Sequence, residues 1–90
     1  MKITKEDFKN WVKLLPADRI FEYHSGSDCV VAAYYRSKGA SKINCGGTTV
    51  SYFLNRTPKF EKIPHFLVDV LHGIIDGDYH AKISKQNLLD

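Results

Sequence analysis

The chain has 90 residues, 43% hydrophobic and 26% charged, with 13 Lys and Arg against 10 Asp and Glu for a net charge of +3. This size admits one domain, residues 1–90, with a small core, and the composition excludes a disordered chain and an acidic mimic of DNA. The charge falls short of a dedicated nucleic-acid binder, and no stretch approaches the ~18 uninterrupted apolar residues of a membrane helix.

The opening residues MKITKEDFKNW place charges where an export signal needs apolar residues, so the expected compartment is the cytoplasm. There Cys29 and Cys45, 16 positions apart, stay free thiols rather than forming a disulfide framework. The sequon Asn55-Arg56-Thr57 is then a chance match.

Thr4 reads as the cap of a first helix, with Glu6 and Asp7 in the turn where the helix dipole favours acids. Phe8, Trp11, Val12 and Leu15 follow at the spacing of one buried helical face, and Pro16 ends it. Residues 20–24 read as a short strand with Phe21 and Tyr23 on one face. After the loop Ser25-Gly26-Ser27, either Ser27 or Asp28 is expected to cap a second helix. Residues 29–35 are apolar on every side, which marks that helix as central, and Gly39 suits its left-handed end.

Residues 42–45, the pair Gly46-Gly47 and residues 48–54 read as a β-hairpin whose two-residue link uses positive φ angles. Val50, Tyr52 and Leu54 form one face of its second strand, and Thr49, Ser51 and Phe53 the other. Residues 55–62 read as a polar loop around Pro58. Pro64 opens a third helix carrying Leu67, Val70, Leu71, Ile74 and Ile75, ended by Gly77, with Gly73 as a weak point inside it. Residues 78–90 stay open between a strand, a last helical turn and a loosely packed tail. The resulting class is α+β, with three helices packed on a small antiparallel sheet containing a β-hairpin.

Cys29 admits two readings. A thiol at a helix start can be acidified by the dipole and act as a nucleophile. Asp28-Cys29 followed by Tyr and Gly resembles the nucleophile helix of papain-like peptidases, and His65 would then be the base, with Asp69 or Asn44 to orient it. Against this, residues after His65 have helical spacing, 90 residues leave little room for a cleft, and free cysteine is commonly a core residue. The core reading is preferred. The two cysteines and four histidines lack metal-ligand spacing, Gly46-Gly47 lacks the lysine and helix of a phosphate loop, and so no metal or cofactor is expected.

Lys5, Lys9 and Lys13 form a stripe of like charge on the first helix, a spacing that costs helix stability and suits an anionic partner. Tyr34 and Tyr35 are adjacent, so one is expected at the surface, where Tyr35 beside Arg36 would make interface material. A nucleic-acid surface would need aromatics interleaved with basic residues on an open sheet.

The stretch FKNWVKLLPADRIFEYHSGSDCVVAAYYRSKG resembles a pattern in small accessory proteins of bacteriophages and prophages, carried here by Phe8, Trp11, Pro16, Tyr23, Cys29, Ala32, Tyr34 and Gly39. It covers the first half of the chain. The resemblance implies a phage-type protein in the host cytoplasm that binds and blocks a host enzyme or a defence complex, as anti-CRISPR proteins do. The function expected is therefore protein–protein binding through Lys5, Lys9, Lys13, Tyr35 and Arg36. Two alternatives stay beside it: a small cysteine hydrolase using Cys29 and His65, and a nucleic-acid-binding regulator. A short sheet with open edges also allows a homodimer.

Overall fold

A computed structural model describes residues 1–23 and 29–89. The order of elements is α1 (Lys5–Lys13), β1 (Ile20–Glu22), α2 (Val30–Ser37), β2 (Ser41–Cys45), β3 (Thr49–Leu54), β4 (Thr57–Lys62), α3 (His65–Ile75), β5 (Lys82–Ser84) and α4 (Lys85–Leu89). The class is α+β. The strands form two antiparallel sheets, β1–β5 and β2–β3–β4.

α1 begins where Thr4 Oγ1 accepts the Asp7 N–H at 3.1 Å. It ends with Leu14 as cap, so Leu15 packs against the core from just beyond the helix. α2 lies between α1 and the larger sheet. Tyr34 points to α1, its ring edge-on to Phe8 at 5.3 Å and its hydroxyl bonded to Asp7. Tyr35 points the other way, 5.2 Å from Tyr52 of β3, with its hydroxyl on Glu61 of β4. Both tyrosines are 0% exposed. The expectation that one of them reaches the surface is therefore corrected: a helix covered on two opposite sides buries neighbours about 100° apart around its axis. Gly39, at φ +97°, ends α2 in the left-handed conformation expected for it.

Residues 55–62, expected as a loop, form a tight turn and the edge strand β4. Asn55 (φ 51°) and Arg56 (φ 64°) supply the two positive φ angles of a two-residue hairpin link. Pro58 is tolerated because β4 is an edge, where one side of the strand needs no donor. The β2–β3 link is longer than expected, residues 46–48, and neither glycine in it has a positive φ. Gly46 is suited for a different reason: a Cβ there would lie 3.0 Å from Thr49 Oγ1.

The end of the chain is integral to the core. β5 pairs with β1 so that Phe21 and Ile83, both 0% exposed, stand opposite each other. Ser84 and Asn87 then bond reciprocally, side chain to backbone N–H in both directions, which starts α4. α4 holds onto α1: Lys85 Nζ donates to the carbonyls of Lys13 (3.0 Å) and Leu15 (2.7 Å), satisfying helix-end acceptors. Leu88 is 1% exposed.

α3 starts after Pro64 and closes at Asp76 and Gly77, both with positive φ. Among the described residues, no helix is long and apolar enough to cross a membrane.

Candidate functional site

Two features of the surface carry chemistry: a thiol-lined cavity and the outer face of the larger sheet. The cavity, about 270 Å³, opens between α2, the β2–β3 link and α3. Val31, Ile63 and Leu71 give it an apolar lining, and Cys29, Cys45, His72, Tyr23 and Tyr79 bring its reactive and polar groups. The volume sits at the low end for small-molecule sites.

Cys29 occupies the N-cap position of α2, and its sulfur accepts the Ala32 N–H at 3.4 Å. The role given to Ser27 or Asp28 is thus held by Cys29 itself, and those two residues lie outside the described ones. Cys29 is 6% exposed, in agreement with its reading as a core residue, yet it forms part of the cavity wall. Interaction with Cys45 holds the Cys29 thiol below its ordinary range, burial opposes the shift, and the backbone N–H groups of Ala32 and Val31 add to it. Cys45 moves up, through its interaction with Cys29 and its partial burial. The two thiols therefore titrate as one pair, with the first proton lost early and the second late.

His65 is not part of this arrangement. It opens α3 with its side chain 91% exposed and pairs with Asp69 at 3.3 Å. The histidine at the cavity is His72, two turns further along the same helix, its ring 6.4 Å from that of Tyr23. The structure thus does not bring Cys29 and His65 together at the cavity. Among the described residues, no group of three or more His, Cys, Asp or Glu is placed to hold a metal ion.

The expected basic patch is divided. Lys5 and Lys13 are exposed, but Lys9 is half-buried with its amine 3.4 Å from the Leu88 carbonyl, so it helps dock α4. Tyr35 is enclosed and offers no surface. Arg36 is exposed in the last turn of α2, and its charge acts on Cys45.

The sheet face turned away from α2 is richer. Cross-strand register places Phe53 opposite Pro58, Ser51 opposite Phe60, and Thr49 opposite Lys62 on that face. Phe60 is 75% exposed and Phe53 37%. β2 contributes Lys42, at a bulge and with φ 49°, and its amine stands 5.5 Å from the Phe53 ring centre. Ser41, Lys42, Phe53 and Arg56 border a notch at one end of this face. None of these residues is acidic. The inner face of the same strands carries Val50, Tyr52 and Glu61 instead. Sequence reasoning missed Phe60, Arg56 and Lys62 because β4 was read as a loop. The available signal is Asn55, a residue type that tolerates the positive φ of a two-residue link, directly after the β-prone run of β3.

No family model, no curated protein and no solved structure matches this chain.

Proposed function

We propose that the chain is a small binding module that acts stoichiometrically, taking a protein partner on the outer face of the β2–β3–β4 sheet. The observation that carries this reading is Phe60, three-quarters exposed, beside Phe53 and bordered by Lys42, Arg56 and Lys62. Aromatic and arginine side chains dominate binding hot spots, and a basic border selects a partner with an acidic rim. The phage-type resemblance of the first half supplies a role for such a module, inhibition of a host or defence factor such as a CRISPR complex. The contact surface in this reading moves from the α1 stripe to the sheet, because Lys9 and Tyr35 are engaged inside the fold.

A second reading rests on the same face. Aromatic rings among basic residues on an open sheet also suit single-stranded nucleic acid, which stacks bases on rings and places phosphates on lysines. The two are separated by using the wild type and a Phe60→Ala/Lys62→Glu variant as baits in a nuclease-treated bacterial lysate. The protein reading expects one partner held by the wild type and released by the variant at unchanged melting temperature. Equal retention by both baits would remove the sheet face from the interaction. A labelled oligothymidine that binds the wild type, with affinity falling steeply in salt, would put the nucleic-acid reading first.

A further inference from the structure

We propose that Cys29 and Cys45 are a reversible dithiol–disulfide pair, oxidised by a hydroperoxide that reaches Cys29 through the cavity between α2, the β2–β3 link and α3. The proposal is independent of what binds the sheet.

Three observations meet here. The two cysteines come from different elements, the N-cap of α2 and the last residue of β2, and both line one cavity. Cys29 has an anion's surroundings: its sulfur accepts the Ala32 N–H at the positive end of a helix. Cys45 lines the same cavity and acts to hold the Cys29 thiol below the ordinary thiol range, so the neighbour that favours the thiolate is also the group placed to resolve it. Finally, a cavity of about 270 Å³ is small for a drug-sized ligand but ample for hydrogen peroxide. Its apolar lining favours a neutral oxidant over a charged one.

The chemistry proceeds in two displacements. The Cys29 thiolate attacks one peroxide oxygen. The S–O bond forms as the O–O bond breaks, and the departing hydroxide or alkoxide takes a proton, for which the Cys45 thiol is the nearest source. Cys29 is now a sulfenic acid and Cys45 a thiolate. The Cys45 sulfur attacks the Cys29 sulfur, the S–S bond forms, and the S–O bond breaks with its oxygen leaving as water. In sum, two thiols and one hydroperoxide give a disulfide, an alcohol or water from the peroxide, and one further water. A reducing thiol returns the pair by exchange.

The test uses the folded wild-type protein and hydrogen peroxide near neutral pH, followed by a maleimide block, intact mass and peptide mapping. The expected product has lost two hydrogens, carries no maleimide, yields a peptide joining Cys29 to Cys45, and reverts with dithiothreitol. It also melts at a higher temperature than the reduced form, since a cross-link restricts the unfolded chain. Cys45→Ser should stop at the first step, giving a sulfenic acid at Cys29 that a dimedone probe captures. Cys29→Ser keeps a capping oxygen on α2 and should leave Cys45 slow to oxidise. The wild-type rate should already be high at pH 7, well below the ordinary thiol range. Maleimide on both cysteines after peroxide treatment, disulfides only between molecules, or faster oxidation of Cys45 than of Cys29 would each overturn the proposal.

Discussion

Replacing Glu61 with alanine tests the central contact of the inner sheet face. One Glu61 carboxylate oxygen accepts the Tyr35 hydroxyl at 2.9 Å, and the other accepts the Tyr52 hydroxyl and the Met1 amino group, the latter at 3.0 Å. The rings of Tyr35 and Tyr52 are 0% and 2% exposed. Each hydroxyl left without an acceptor in such surroundings costs about 1–3 kcal/mol. The Met1 pair reaches solvent and adds at most about 1 kcal/mol. Glu61 is itself partly exposed, so water reaches part of the vacated space and the lower half of the range applies. The expected loss is about 2–5 kcal/mol, a large share of the total stability of a domain this size, about 5–15 kcal/mol. Urea denaturation followed by Trp11 fluorescence measures it. Glu61→Leu should lose a similar amount, and adding Tyr35→Phe and Tyr52→Phe to that variant should recover most of it, because the orphaned hydroxyls are then gone. A Glu61→Ala loss under about 0.5 kcal/mol, the scale of an ordinary surface change, would refute the reasoning, as would a triple variant no better than Glu61→Leu.

The same groups set the pH dependence. At Glu61 burial acts upward, but the bonds from Tyr52, the chain's amino group and Tyr35 outweigh it and bring the carboxyl below its ordinary value of 4.5. A depressed carboxyl stabilises the fold above its unfolded value and less as pH falls through the folded one, so acid titration should show stability declining below about 4.5. Tyr52 is pushed up to about 12 by burial and then by Glu61, and Tyr34 and Tyr35 move the same way. Their contribution is complete below the ordinary value of 10.0 and falls as pH rises above it, which alkaline denaturation should report. Gly73→Ala should stabilise by about 1 kcal/mol on helix propensity, because the site faces open space on α3, and a thermal melt would show it. Leu88→Ala should cost about 2–5 kcal/mol as a core truncation. A value near zero in the same urea assay would mean that α4 is not part of the cooperative unit.

What the sequence discloses follows from how local each cause is. α1 was legible because Phe8, Trp11 and Val12 repeat with the helix itself and Thr4 caps within the same turn. The alternation of β3 was legible for the same reason, and Val50 and Tyr52 are buried while Phe53 is not. β4 was hidden because an edge strand needs no apolar alternation and tolerates Pro58, so its residues carry the composition of a loop. Tyr35 was misplaced because its cover comes from Tyr52 and Glu61, far along the chain, and a lone helix cannot reveal that it is covered twice. The meeting of Cys29 and Cys45 at one cavity has the same origin. Only the return of β2 beside the start of α2 joins them, and no local motif spells that out.

The two faces of the larger sheet differ in a way that packing alone does not account for. On the inner face, each aromatic hydroxyl finds Glu61 and the rings are sealed. On the outer face, Phe60 pairs across with Ser51, a side chain too short to cover it. Lys42 is held at φ 49°, a conformation that costs a non-glycine residue about 1–2 kcal/mol. Its contact with Phe53 near solvent returns about 0.5–1 kcal/mol. The bulge therefore does not repay its strain through that contact, and the exposed ring of Phe60 adds nothing to the core. Both features fit the partner proposed for this face, with Lys42, Arg56 and Lys62 meeting its charge and Phe60 its apolar centre.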